Sequence, residues 1–157
     1  MNNYDCFFAY VNEIFAAHER LSQLLSKKLD AILGHDVTAL DAIIKEEQVF
    51  VLQSRAFEQN LRSHRDKLGL SGGNLREIIR EMDEAEQPRF EELFRRLRVK
   101  LDEVNGLNKK CQELIEERIY SIEKSVRSLD KSKNATYEKS GGQTPGSRDP
   151  HWLEKTI

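Results

Sequence analysis

The chain has 157 residues, and 25 Lys and Arg stand against 27 Asp and Glu, which gives a formal net charge of −2. Charged residues make up 33% and apolar residues 38%, with 8 Gly and 3 Pro, a balance that favours long exposed helices over a compact β-sandwich. This near-neutral charge gives no electrostatic reason to expect binding to nucleic acid or to an anionic membrane.

The first residues do not read as a signal peptide. Asp5 and Glu13 interrupt the segment where a signal peptide is continuously apolar, and no apolar run is long enough to span a membrane. Cys6 and Cys111 are far apart, and neither forms a metal-binding spacing with another cysteine or a histidine. We therefore expect a cytoplasmic protein with two reduced thiols, no metal and no cofactor.

Two long helices joined by a short turn open the chain. From Tyr4 to Leu33 and from Val37 to Leu68, apolar residues recur at steps of three and four, the period of an amphipathic helix. Gly34 is expected to be a left-handed C-cap and Asp36 an N-cap, so the pair should form an antiparallel hairpin. The predicted buried faces are Phe7, Val11, Ile14, Leu21, Leu25 and Ile32 in the first helix, and Leu40, Ile43, Ile44, Val51, Phe57, Leu61 and Leu68 in the second.

A short helix and a third long helix follow. Gly69 ends the second helix, and Asn74 with Glu77 three residues later is typical of a capping box that opens a short helix. Pro88 suits the first turn of the last helix, which is predicted to run to about Leu129. Its predicted seam comprises Phe90, Phe94, Leu97, Leu101, Val104, Asn108, Cys111, Ile115, Ile122 and Leu129.

These elements predict an all-α fold, an elongated antiparallel helical bundle of three long helices plus one short helix. Residues 1–130 would form the bundle, and residues 131–157 a flexible C-terminal tail, because Lys, Ser, Asn, Thr, Gly and Pro dominate there. Such a composition buries too little apolar surface to offset the entropy of ordering.

The sequence contains no arrangement of residues typical of a catalytic site. The four histidines, His18, His35, His64 and His151, are scattered and show no metalloenzyme spacing, so we expect structural or exposed roles. The basic run 95–100 is flanked by acidic residues, which favours pairing within the helix over anion binding. No Gly-rich phosphate loop follows a predicted strand, and the chain is not expected to be an enzyme.

The last helix carries more apolar surface than a small bundle needs. Its second half contains Cys111, Leu114, Ile115, Ile119, Ile122, Val126 and Leu129. Part of this set should face the first two helices, and the rest would form a groove for a helix of another protein. Alternatively, the whole set is intramolecular core or a homodimer seam. Asn105 and Asn108 lie near the predicted seam as a polar layer, and Gly106 between them marks a candidate kink.

Three segments, in order along the chain, resemble the FlgN-type flagellar export chaperones. The first is Leu33-Gly34-His35-Asp36 followed by Ile44-Lys45-Glu46-Glu47-Gln48, similar to the family's first hairpin. The second is Val104-Asn105-Gly106-Leu107-Asn108, similar to its N-x-x-N segment. The third runs from Thr136 to Thr144, an aromatic residue followed by a small polar turn. The terminal His151-Trp152-Leu153 matches no part of the family pattern.

The resemblance implies a non-enzymatic chaperone with two kinds of partner. It would bind the C-terminal amphipathic helix of flagellar hook-associated proteins, which form the hook–filament junction, and deliver them to the export gate before they assemble. The candidate client contacts are Leu114, Ile119, Ile122, Val126 and Leu129. Tyr137 and Gly141, in a tail with no core to receive an aromatic ring, would dock on the cytoplasmic domain of the gate.

A structural protein is the alternative function. A coiled-coil scaffold adaptor that forms a homodimer would show the same seams, although it would not need the aromatic residue and glycine of the tail. The chaperone itself is expected to be a monomer or a weak homodimer. The sequence does not indicate which junction protein it prefers.

Overall fold

Four helices make up the computed structural model, which describes the backbone of residues 2–139 and the side chains of residues 2–135. They are α1 (Asn3–Leu33), α2 (Val37–Leu68), α3 (Leu75–Glu81) and α4 (Gln87–Lys139), and no strand occurs among these residues. The predicted all-α fold of three long helices and one short helix is confirmed. The chain divides into two compact units, Met1–Glu116 and Glu117–Ile157.

The turn between α1 and α2 is capped as the sequence predicts, with one correction. The Asp36 carboxylate accepts a hydrogen bond from the Ala39 N–H at 2.9 Å and so caps α2. Gly34, however, is right-handed with φ −82°, and His35 takes the left-handed conformation with φ 57°. The Gly34 N–H still bonds to the Asp30 carbonyl at 2.8 Å, which continues the helix by one residue, and histidine is among the side chains that tolerate positive φ.

α1 and α2 pack as an antiparallel pair. The Lys28 ammonium bonds to the Glu47 carboxylate at 2.8 Å near the turn, and the rings of Tyr10 and His64 stack at 5.0 Å near the other end. The predicted burial of Ile44 and Val51 is wrong, because they are 40% and 51% exposed. Ile43, 7% exposed, is the one buried side chain of α2, since α1 covers only a narrow stripe along this helix.

An aromatic core joins the first part of α4 to the start of α1. The rings of Phe7 and Phe90 lie 5.3 Å apart, and further along the Cys111 thiol donates to the Leu25 carbonyl at 3.7 Å. Because both contacts advance along the two helices in the same direction, α4 runs parallel to α1 in this unit. The core cluster comprises Phe7, Val11, Leu70, Ile78, Met82, Phe90, Leu93 and Phe94.

The segment between α2 and α3 turns sharply at Gly69, which has φ 68° as its predicted C-cap role requires. The Asn74 side chain caps α3 by accepting from the Glu77 N–H at 3.0 Å. The predicted reciprocal half of the capping box is wrong, because the Glu77 carboxylate instead accepts from the Gly73 N–H at 2.8 Å. In a standard capping box the Glu77 carboxylate would accept from the N–H of the N-cap residue Asn74, whereas here it accepts from the N–H one residue earlier.

α4 extends ten residues beyond the predicted end at Leu129, to Lys139. Residues 130–139 contain Lys, Glu and Ala, which favour helix, and no Gly or Pro that would stop one. The polar composition of this segment was therefore a poor guide to its backbone. The division at residues 130 and 131 stays a prediction, and residues 140–157 lie outside the described residues.

Candidate docking surface on α4

Four large apolar side chains of α4 are exposed on one side of the helix. Their spacing of three, four and three residues keeps them on a common face. The exposed fractions are 52% for Ile119, 64% for Ile122, 51% for Val126 and 63% for Leu129. We call these four residues the client face. Leu114, the fifth predicted contact, is half-buried and belongs to the first compact unit.

The first part of α4 buries several of its apolar residues instead, although Val99 is 57% exposed and the predicted seam residue Leu101 is 37% exposed. Val104 is 8% exposed and Cys111 is 1% exposed, and the Cys111 thiol contacts the backbone of α1. Burial raises the pKa of the Cys111 thiol, so this cysteine stays protonated and unreactive at neutral pH. By contrast, every side chain from residue 119 to residue 135 is exposed.

A row of serines borders the client face, a feature that sequence reasoning missed. The hydroxyls of Ser121, Ser125 and Ser128 each donate to a carbonyl four residues earlier, at 3.0 Å in each case. Their hydrogen-bonding capacity is therefore partly satisfied within the helix, and their side chains add little bulk. A partner helix can approach the backbone closely along this edge. The spacing of four and three residues in the sequence was the available signal.

The opposite border of the client face is acidic. Glu123 and Asp130 lie seven residues apart, next to Ile122 and Leu129, and both are exposed. Arg127 stands between them in sequence and offsets part of this charge. The surface is therefore an apolar stripe with a small-residue edge and a mixed, mainly acidic edge.

The predicted polar layer at Asn105 and Asn108 is wrong. Both side chains are exposed, so neither amide needs a buried partner. Each residue of a helix is rotated by about 100° from the one before it, which turns Asn105 away from the contact that Val104 makes. Gly106 has nothing within 4 Å of the position that a Cβ would occupy, and α4 continues through it.

Of the two predicted gate-docking residues, the structure describes only the backbone of Tyr137. Tyr137 lies within the last turn of α4, but its side chain is outside the described set. Gly141 lies outside the described residues altogether. Their docking role therefore stays a prediction.

The described histidines in the packed region have structural contacts. The His18 ring lies 2.8 Å from the Ile14 carbonyl and against Phe50, and the His64 ring stacks on Phe7 and Tyr10. Within the described part of the chain, no group of three or more His, Cys, Asp and Glu side chains is arranged to hold a metal ion. Over the same residues, no helix combines the length and apolarity that crossing a membrane requires.

The family comparison decides what class of protein this is. The family model described as FlgN protein matches residues 1–145, most of the chain. The chain belongs to the FlgN family. Its members are flagellar export chaperones rather than enzymes, and the predicted resemblance is confirmed.

The FlgN match includes the client face and also the positions of Tyr137 and Gly141. It ends before the His151-Trp152-Leu153 segment, which the sequence pattern also left unassigned. No curated protein and no solved structure shows a significant match to the chain.

Proposed function

We propose that this FlgN-family chaperone binds the C-terminal amphipathic helix of flagellar hook-associated proteins in the cytoplasm, prevents their premature assembly and delivers them to the export gate. The observation that carries the proposal is the client face, four large apolar side chains in the second half of α4 that are each more than half exposed. Membership of the FlgN family, a family of flagellar export chaperones, supports the proposed class of cargo. An amphipathic helix is the partner that such a stripe fits.

The client face offers enough apolar surface for a reversible complex. Fully burying a large aliphatic side chain contributes about 1.5–3 kcal/mol. Ile119, Ile122, Val126 and Leu129 already lose part of their exposure to their own helix, so each would contribute less than that range. The sum is several kcal/mol before the costs of association are subtracted. This suits a chaperone, which must release its client.

The two borders of the client face favour one mode of approach. The serine edge allows a client helix to lie close to the α4 backbone, while Glu123 and Asp130 on the other edge favour basic residues on the client. A client helix with basic residues beside its apolar stripe would therefore bind with a defined rotation about its axis.

Co-purification of a co-expressed hook-associated protein tests the client face. We expect the double variant Ile122→Asp/Leu129→Asp to lose the client, because two carboxylates would be buried without partners. The matched control is Lys124→Asp/Lys131→Asp, which places two carboxylates seven residues apart at exposed positions on the opposite side of the same helix. Both variants should keep the helical circular dichroism signal. Full retention of the client by the first variant would place the binding site elsewhere.

The export gate is the second proposed partner. Tyr137, with Gly141 after it, would present an aromatic anchor to the cytoplasmic domain of the gate, as aromatic hot-spot residues do at other interfaces. We expect Tyr137→Ala to leave client binding unchanged and to weaken binding to the isolated gate domain at least tenfold. Tyr137→Phe, which keeps the ring, is the matched control. Equal gate affinity for the wild type and Tyr137→Ala would remove this residue from the mechanism.

A further inference from the structure

We propose that the cleft between α3 and α4 is a second docking surface, one that binds an acidic peptide segment carrying a bulky apolar side chain. This site lies within the first compact unit and is separate from the client face. Its opening is bordered by arginines from two helices above an apolar floor, a combination that selects for acidic and apolar groups in the same segment.

The floor of the cleft is apolar and accessible. Leu75 is 38% exposed although it is a large aliphatic residue, and Ile79 and Phe94 continue the floor beneath it. The open volume is about 710 Å³, enough for one or two large side chains of a peptide. An apolar floor of this kind gives a bulky aliphatic or aromatic side chain a place to bind.

The charge around the opening is mainly positive. Arg76 on α3 and Arg98 on α4 line it, and within the described chain neither makes a hydrogen bond or an ion pair. Arg95 also lines it, but two of its three guanidinium nitrogens donate to the Glu92 carboxylate, at 2.8 and 2.9 Å. Among the described residues that line the cleft, Glu91 is the one carboxylate. Two uncommitted guanidinium groups therefore outweigh one carboxylate, and carboxylates of a partner would complement them.

The α3 wall of the cleft is held rigidly, which lowers the entropic cost of binding. The Glu81 carboxylate accepts from the backbone N–H groups of Ser71 and Gly72 at 2.7 and 3.0 Å, and an Arg65 nitrogen donates to the Gly72 carbonyl at 2.6 Å. On its other side α3 anchors Ile78 in the core. A fixed wall pre-organises the site for its partner.

The groove between α1 and α2 is the competing candidate, and its charges do not select a partner. It contains apolar residues such as Phe50 and Phe57, yet its borders mix Arg20 with Glu13 and Glu46. No single sign of charge dominates there. The α3–α4 cleft is the surface where floor and rim point to the same chemistry.

Fluorescence polarisation with the intact protein and a labelled 15-residue peptide tests the proposal. The probe carries one Phe flanked by four Glu, and two comparison peptides replace the Glu residues with Lys or the Phe with Ser. We expect the Glu/Phe peptide to bind and each comparison peptide to bind at least fivefold more weakly. Raising the salt concentration should weaken binding of the Glu/Phe peptide, since exposed charge pairs are screened.

Variants that reverse the charge of Arg76 and Arg98 test whether the Glu/Phe peptide binds in the α3–α4 cleft. Arg76→Glu/Arg98→Glu should lose at least tenfold in affinity for the Glu/Phe peptide, and the milder Arg76→Gln/Arg98→Gln serves if the reversal disturbs folding. The matched control is Arg55→Glu/Arg62→Glu, two exposed arginines of α2 that undergo the same change of charge, with an expected effect below twofold. Ile122→Asp/Leu129→Asp should bind the peptide normally, which separates this site from the client face.

Three results would overturn the proposal. They are no binding of the Glu/Phe peptide at millimolar concentration, an equal loss in the two arginine double variants, and displacement of the peptide by a single-stranded oligonucleotide. The second would mean that general surface charge attracts the peptide. The third would mean that the arginines serve a nucleic acid instead.

Discussion

Arg89 joins the start of α4 to the start of α1. Its guanidinium donates to the Asp5 carboxylate at 3.0 Å, pairs with Glu86, and lies over the rings of Phe8 and Phe90 at 5.0 and 5.6 Å from their centroids. The hydrogen bond from Arg89, together with one from the Asn2 N–H, lowers the pKa of Asp5 below its ordinary value. The ion pair therefore makes folding stability dependent on pH.

We expect Asp5→Asn to lower the urea midpoint of unfolding at pH 7. A carboxyl whose folded pKa is lowered stabilises the fold above its unfolded pKa of about 3.9 and loses that contribution as the pH falls through the folded value. The difference between variant and wild type should thus shrink as the pH falls below the unfolded pKa of about 3.9. Asp102→Asn, an exposed carboxylate without an ion pair in the described chain, is the control. A difference that persists unchanged in acid would contradict the electrostatic explanation.

Gly106 offers a stabilising substitution. It lies inside α4, and a Cβ there would meet nothing within 4 Å. Gly106→Ala should stabilise the fold by about 1 kcal/mol, because alanine loses less backbone entropy in a helix, and should raise Tm by about 2–4 °C. Gly69→Ala is the opposite control, since φ 68° strains any residue with a side chain. A lower Tm for Gly106→Ala would indicate that the glycine is needed for a bend.

At the level of the helices, the sequence predicted helix bounds and caps, which depend on local residues. It did not predict burial correctly, because burial depends on which neighbouring helix covers a side chain. The bounds of α2 and the Asp36 cap were predicted correctly because turn chemistry and caps are local. Burial of Ile44 and Asn108 was not, because exposure depends on which sector of a helix a neighbour covers. The client face was predicted as an apolar surplus, whereas its serine border was missed. The spacing of the serines is visible in the sequence, but their hydrogen bonds to the helix backbone are seen only in the structure.

α4 carries apolar residues with two different tasks, and mutation should separate them. Phe90 is completely buried in the core cluster, whereas Ile122 is 64% exposed. Phe90→Ala should reduce the free energy of unfolding by about 3–5 kcal/mol through lost packing and a cavity. Ile122→Ala should change it by less than about 0.5 kcal/mol. Urea denaturation measures both, and a large loss for Ile122→Ala would mean that this residue is already packed within the chain.

At the level of the whole molecule, the aromatic core and the proposed client face lie in different parts of the chain. The first compact unit holds the aromatic core and the α3–α4 cleft, and the second holds the client face. A chaperone of this kind keeps an apolar surface uncovered at some risk of self-association. Size measurement across a range of concentrations, with and without a client peptide, distinguishes it from a scaffold. A stable homodimer unaffected by the peptide would favour the scaffold.

Hydrogen exchange of the intact protein, with and without a saturating peptide from the C-terminal helix of a hook-associated protein, tests the central claim most directly. We expect amide exchange across residues 117–135 of α4 to slow at least tenfold when the peptide is bound, because the docked helix suppresses opening of a segment whose side chains are otherwise exposed. The amides of α2 should change little. Protection confined to α1 and α2, or no protection while the peptide is bound, would contradict the account.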